Sequence, residues 1–223
     1  MPILNTLDDQ VAASGAVGQF PDRMEERHAS FMGMWAFLAT EMLFFGALFT
    51  AYAVYRIHYG EAFTQTSKVL SVFWGAANTA ILLVSSLTVA HAVRASRLKR
   101  KAECGLWLGT SALLGLLFLG IKIMEWATDA REGHLPWGSL GFNPPGLHPE
   151  AERIFLNLYF IMTGIHGLHL FIGIGLLVSL AVRMRRNRLS DAPELPVEIA
   201  GLYWHFVDIV WIFLYPLFYL AGR

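Results

Sequence analysis

Five long apolar stretches, at residues 31–55, 69–93, 105–126, 154–182 and 199–222, take up 125 of the 223 residues and limit what this chain can fold into. Each exceeds the ~20 residues that carry an α-helix across a ~30 Å hydrocarbon layer. The fourth, at 29 residues, has to tilt or protrude. Strand-like alternation is absent, which argues against a β-barrel. The expected fold is an all-α polytopic membrane protein with five transmembrane helices. Composition agrees: 55% of residues are hydrophobic and 15% charged, against about 25% charged in an ordinary soluble domain. Seventeen basic residues balance seventeen acidic ones, so the basic excess on which nucleic-acid binding rests is missing and no nucleic-acid partner is expected. Cys104 is the single cysteine, too few for an internal disulfide or a cysteine-rich zinc module.

The loops suggest an orientation. Threading the segments back and forth puts Arg23, Arg27, Arg94, Arg97, Lys99, Arg100, Lys101, Arg183, Arg185, Arg186 and Arg188 on the side of the N-terminus. Arg56, Lys68, Arg131, Arg153 and Arg223 fall on the other. Eleven against five places the N-terminus in the cytoplasm and the C-terminus on the periplasmic or external side. Trp35, Trp107 and Trp204 then lie near inner helix ends, and Trp74 and Trp126 near outer ones, as belt residues. Residues 1–30 lack the apolar core and small-residue cleavage site of a signal peptide and read as a polar cytoplasmic tail, with residues 31–223 as the membrane domain. The basic run from Arg94 reads as a short cytoplasmic turn anchoring topology. Residues 127–153, with Pro136, Pro144, Pro145 and Pro149, read as an irregular cap.

Within the segments only Glu41, Lys122, Glu125 and Asp208 carry formal charge, joined by His91, His166, His169 and His205. Ionisable residues at membrane depth are costly and mark function or partnered structure. Glu41 lies roughly 15 Å along its helix at ~1.5 Å per residue, near mid-membrane, where a carboxyl is expected to be neutral or partnered. His166 and His169 are three apart on one helix, as are His205 and Asp208 on the next. Glu41 and these four could meet in one interior cluster. That set could ligate a metal, or it could be interhelical hydrogen-bond glue. Gly167 and Gly173 would admit another backbone beside the histidines. Lys122 and Glu125, three apart near an outer end, suggest an ion pair or a snorkelling lysine. Asn78 reads as interhelical glue, Gly105 with Gly109 as a close-packing site, and Pro216 as a kink in the last helix.

Four stretches carry a resemblance. They are Trp35-Ala-Phe-Leu-Ala-Thr-Glu41-Met-Leu-Phe-Phe-Gly46, Lys122-x-x-Glu125-Trp126, Thr163-Gly-Ile-His166-Gly-Leu-His169, and Tyr203-Trp-His205-Phe-Val-Asp208-Ile-Val-Trp211. Together they resemble subunit III of the haem-copper oxidases, from about His28 to the C-terminus. The resemblance implies a multi-pass subunit of a proton-translocating terminal oxidase in the bacterial cytoplasmic membrane, packed with subunits I and II. It implies no catalytic centre, haem or copper in this chain, those belonging to the partner subunits, with cytochrome c or quinol as electron donor to the complex. Glu41 matches the family's buried, carbodiimide-reactive glutamate, and His166, His169, His205 and Asp208 its intramembrane polar network. Asn78, Lys122 and Glu125 join the candidate network or lipid-contact residues, bound phospholipid being a further implication. Mitochondrial-type members have seven helices, of which this chain matches the last five, and Lys122 stands where many members carry glutamine. Related readings are subunit III of a quinol oxidase or an accessory protein of a nitric oxide reductase. Readings from other classes are a self-contained membrane cytochrome using the histidines and a proton-coupled transporter using Glu41 and Asp208. The transporter lacks the inverted repeats such proteins show.

Overall fold

A computed structural model of the protein describes residues 23–137, 148–186 and 194–222. Its elements are α1 (Arg23–His58), α2 (Gly60–Ser67), α3 (Val72–Arg97), α4 (Lys101–Arg131), α5 (Pro149–Arg185) and α6 (Glu194–Tyr219). All except α2 are long and apolar enough to cross a bilayer. The helices run past the apolar stretches because a backbone hydrogen-bond ladder does not end where hydropathy does. Their polar ends carry charges that suit the helix dipole: Glu25 and Glu26 open α1, Arg56 and His58 close it, and Arg94 and Arg97 close α3.

Three loop expectations change accordingly. Residues 23–30 belong to α1, while residues 1–22 of the expected tail lie outside the described residues. The basic run from Arg94 is mostly helix, and the turn is confined to Leu98, Lys99 and Arg100, with Lys99 in the left-handed region at φ 57°. Residues 127–131 continue α4, and Pro149 opens α5 at its first turn, where its missing N–H costs nothing. The rest of the expected cap includes residues 138–147, which lie outside the described residues, as do residues 187–193.

The chain divides into two compact units, residues 1–37 and 38–223. In the second, α3 packs on α4 and α6, and α5 packs on α4 and α6, closing a ring of four helices, while α2 packs on α5. The core of that ring is α6, whose Trp204, Trp211, Leu214, Phe218 and Tyr219 are all but fully buried. Trp204, expected in an interfacial belt, is instead at the centre of the bundle. Its ring is seated where Gly115 of α4 and Gly173 of α5 leave room, a Cβ at either position meeting it at 2.7 and 3.0 Å. The glycine at 173 therefore admits an indole ring rather than a backbone, and Gly167 has only Leu119 near it, at 3.9 Å. Gly105 packs against Ala181 and Met184 at 3.5 Å, whereas Gly109 faces open space.

Hydroxyls on α3 set its antiparallel register with α6. Thr79 Oγ1 accepts from Trp211 Nε1 and Ser85 Oγ from Trp204 Nε1, both at 3.1 Å, and Arg97 Nε meets Glu198 Oε1 at 2.8 Å. From Leu38 onward α1 rests on the bundle through Phe45, Phe49 and Tyr52, whose rings lie 6.4 Å from Phe206, 6.1 Å from Phe213 and 5.1 Å from Phe218. The Tyr52 hydroxyl donates to the Leu217 carbonyl at 2.5 Å. The short α2 gave no hydropathy signal. It buries Phe63 against Tyr52 and Phe155 and so covers one end of the bundle. Pro216 lies inside α6, which continues to Tyr219.

Candidate functional site

The ionisable residues of the apolar stretches, His91 apart, occupy three places rather than one. Helical geometry explains the split: positions three apart differ by about 60° around the axis, enough to face different neighbours when helices lie on both sides.

The first place joins α1 to α5. His169 Nδ1 donates to the Ile165 carbonyl at 2.9 Å, which leaves Nε2 to meet Glu41 Oε2 at 3.1 Å. The contact is at ion-pair distance but off the axis of a hydrogen bond. Both side chains are mostly buried, Glu41 at 19% and His169 at 15% exposure. Phe45, one turn after Glu41, places its ring 5.6 Å from His169, and the Tyr203 hydroxyl donates to the His169 carbonyl at 3.0 Å. The Glu41 carboxyl is thus held against an imidazole between aromatic rings, where water is scarce.

The second place lies among α3, α5 and α6. Ser86 Oγ and His205 Nδ1 are 2.7 Å apart, and Ser86 also lies near the Asp208 carboxyl, although neither Asp208 oxygen has a partner at hydrogen-bonding geometry. His166 turns away from His169, its ring 5.2 Å from Trp211 and 5.8 Å from Phe118, with both nitrogens unpartnered. Asn78 is fully buried, and in place of the expected interhelical bond its amide nitrogen and oxygen meet no partner. His91, the remaining histidine of the five apolar stretches, stacks on Trp107 at 5.1 Å.

The third place is the most tightly connected. Lys122 Nζ reaches inward from α4, donating to Glu125 Oε2 at 3.1 Å, to the Tyr159 hydroxyl of α5 at 2.8 Å and to the Tyr219 hydroxyl of α6. Glu125 Oε1 accepts from Tyr219 at 2.6 Å and from Tyr159 at 3.2 Å. The ammonium also sits over the rings of Tyr159, Trp211 and Tyr219, at 4.7, 5.4 and 5.1 Å from their centroids. The spacing anticipated the ion pair, but the lysine does not snorkel: it is 5% exposed. Sequence reasoning missed Tyr159 and Tyr219, although a tyrosine one turn before Thr163 and another near the end of α6 are the kind of amphipathic side chain that satisfies a buried charge.

Among the described residues no group of three or more histidine, cysteine, aspartate or glutamate side chains is arranged to hold a metal ion. The expected convergence of Glu41, His166, His169, His205 and Asp208 on one point is therefore replaced by pairwise contacts with serine, aromatic rings and each other.

Five apolar helices with their ionisable groups turned into helix contacts define a multi-pass membrane protein with a polar interior. The family model for cytochrome c oxidase subunit III matches residues 23–223. The chain is 34% identical over 194 residues to the cytochrome c oxidase subunit 3 of Thermostichus vulcanus, covering 86% of this chain and 87% of that protein. It is 31% identical over 196 residues to the cytochrome c oxidase subunit 3 of Bacillus sp. strain PS3, covering 86% of each. With the cytochrome bo(3) ubiquinol oxidase subunit 3 of Pseudomonas aeruginosa it shares 29% identity over 217 residues, 97% of each chain. The chain belongs to the cytochrome c oxidase subunit III family.

Proposed function

We propose that this chain is the non-redox subunit III of a bacterial haem-copper terminal oxidase, packed against subunit I beside subunit II and sustaining proton uptake during oxygen reduction. The observation that carries the reading is the family match across residues 23–223, with the motif residues Glu41 and His169 facing each other at 3.1 Å inside the bundle. In this reading haem and copper reside in the partner subunits, and cytochrome c or quinol delivers electrons to them. The quinol oxidase alternative draws support from the Pseudomonas aeruginosa relative, which spans 97% of both chains. Glu41 serves as a proton-modulating acid. His166, His169, His205, Asp208 and Asn78, with Lys122 and Glu125, form the intramembrane polar set that supports it and contacts phospholipid.

The arrangement in the bacterial cytoplasmic membrane follows the charge asymmetry. Eleven basic residues at the α1 start and the α3–α4 and α5–α6 connections favour a cytoplasmic N-terminus, with residues 1–30, of which 23–30 belong to α1, ahead of a membrane domain over residues 31–223. Cysteines introduced at Ser190 and Ser139 in a Cys104-free background test this. A membrane-impermeant reagent on intact cells is expected to label the second alone, and the reverse pattern overturns the orientation.

Removing the subunit tests the function. The haem and copper spectrum and the initial rate are expected to survive, while the rate decays faster during turnover than with the subunit present. Loss of a haem or copper signal from an assembled large subunit would make this a cofactor protein instead. Unchanged rates and lifetimes would reduce it to a packing element. A carbodiimide is expected to modify Glu41 in preference to the exposed Glu132 and Glu150, because an apolar reagent partitions into the bilayer, where the Glu41 carboxyl lies mostly buried against His169. Modification confined to Glu132 and Glu150 overturns that role.

A further inference from the structure

Phenol and indole rings are among the side chains that most readily give up a single electron, and four of them meet beside Lys122. The ring of Tyr219 lies 5.5 Å from Tyr215, 6.3 Å from Tyr159 and 6.4 Å from Trp211, within the roughly 4.5–7 Å spacing of rings in direct contact. Gly75 of α3 makes room for two of them, since a Cβ there would meet Tyr215 at 2.7 Å and Tyr219 at 2.9 Å. Trp211, Tyr159 and Tyr219 are all but fully buried, whereas Tyr215 is half-buried. The rings therefore form one connected path from the interior of the bundle to its flank.

An electron taken from a phenol in such an interior leaves a cation behind, and burying an unpaired charge is costly. The cost falls when the hydroxyl proton departs with the electron, which requires a base already hydrogen-bonded to it. Tyr219 has that base: its hydroxyl donates to Glu125 Oε1 at 2.6 Å. The distance falls in the roughly 2.5–2.7 Å range of an O–H donor on a carboxylate and is short enough for proton transfer. Tyr159 donates to the same oxygen at the longer distance of 3.2 Å. Lys122 donates to the Tyr219 hydroxyl as well, so the phenol oxygen keeps a hydrogen bond after its own proton has gone. Glu125 in turn lines a pocket of about 330 Å³ together with Thr128, Asp129 and Glu132, so the proton has acidic groups to move on to.

We propose that Tyr219 is a one-electron oxidation site, with Glu125 as its proton acceptor and Trp211 and Tyr215 as the rings that carry the electron away. The step balances. The electron reduces a one-electron oxidant, either an oxygen-derived radical in the membrane or an oxidised metal centre of the partner subunits. The O–H bond of Tyr219 breaks, an O–H bond forms on Glu125, and a neutral phenoxyl radical remains. An electron from a quinol or another small reductant, entering by the same rings, and the return of the proton from Glu125 restore the phenol. Such a site absorbs one oxidising equivalent without loss of a side chain. The inference rests on the oxidase reading only for the second source of oxidant.

The test uses the intact complex that contains this chain, purified in detergent and oxidised by flash illumination of a ruthenium sensitiser with a sacrificial acceptor. The radical is read by electron paramagnetic resonance, and growth on ring-deuterated tyrosine assigns it to a phenol by narrowing the signal. A phenoxyl signal is expected that disappears in Tyr219→Phe and persists in Tyr55→Phe, a tyrosine outside the cluster. Glu125→Gln, which keeps a hydrogen-bond partner but removes the proton acceptor, is expected to lose the signal with Tyr219 in place. If either variant fails to assemble, slower radical formation in heavy water and in Trp211→Phe makes the test on folded protein. A signal unchanged by Tyr219→Phe, lost instead in Tyr159→Phe, or equally strong in a complex stripped of this chain overturns the proposal. A second arm adds hydrogen peroxide to the oxidised complex without light. The same signal there supports the partner subunits as the source of oxidant, and a signal only under illumination supports the site with an external radical as its source. The flash arm needs no turnover, so a failed oxidase reading and a failed radical site give different results.

Discussion

Two regions of the bundle solve the problem of polar groups in an apolar interior in opposite ways. Around Lys122, the ammonium, the Glu125 carboxylate and the Tyr159 and Tyr219 hydroxyls saturate one another across α4, α5 and α6. Elsewhere in the interior, the side chains of Asn78, His166 and Asp208 are as deeply buried, yet their side-chain nitrogens and oxygens have no hydrogen-bond partner. The first arrangement offsets desolvation with short charged contacts and so fixes which helix faces meet. The second leaves its desolvation cost uncompensated within this chain. Burial of a polar residue is therefore not a measure of what it contributes to stability here; the number of partners is.

That contrast can be broken by substitution. The largest effect is expected from Glu125→Leu, which strands a buried ammonium and costs about 3–5 kcal/mol, read as a drop in thermal stability of the purified complex. Pairing it with Lys122→Met is expected to recover most of the loss, because an apolar pair of similar volume avoids the desolvation cost altogether. A loss below about 1 kcal/mol for Glu125→Leu alone would mean that the cluster does not hold the helices.

Tyr219→Phe comes next. It removes the hydroxyl that links Lys122 to Glu125 while leaving the ring packed on Trp211 and Tyr159. A loss of roughly 1.5–3 kcal/mol is expected for a hydrogen bond to charged groups, and an equal stability for the phenylalanine variant would assign the tyrosine's role to packing.

The smallest effect, and of opposite sign, is expected at Asn78. Asn78→Leu exchanges an unpartnered amide for an apolar side chain of similar size, so stability should be unchanged or higher by about 1 kcal/mol. A loss above about 2 kcal/mol would show that the amide has a partner in the assembled complex and belongs with the saturated region.

Much of this was legible in the sequence. Apolar runs of 22 to 29 residues admit little other than membrane-crossing helices, and a three-residue spacing puts Lys122 and Glu125 within reach of each other on any helix. The polar residues named from the sequence are all intrahelical, but their grouping was not legible. One helix has several neighbours, and the 60° between His166 and His169 sends the first to Trp211 and the second to Glu41. The glycines misled for a related reason: a missing Cβ signals close approach without saying whether a backbone or, as at Gly115 and Gly173, an indole ring fills the space.

The sequence by itself determined the number of spans, the helical class and the identity of the residues that had to be accommodated at membrane depth. Those follow from local facts, the free energy of each side chain in hydrocarbon and the obligation of each peptide group to bond within its own helix. Which of those residues would be saturated and which left without a partner was decided only by tertiary structure. Tyr159 and Tyr219 reach Lys122 from positions 37 and 97 residues away along the chain, and Trp204, placed by sequence at a membrane edge, fills the centre of the bundle because two glycines on other helices make room for it. Such contacts depend on the mutual rotation of α4, α5 and α6, which the packing of many side chains sets together and no single segment encodes.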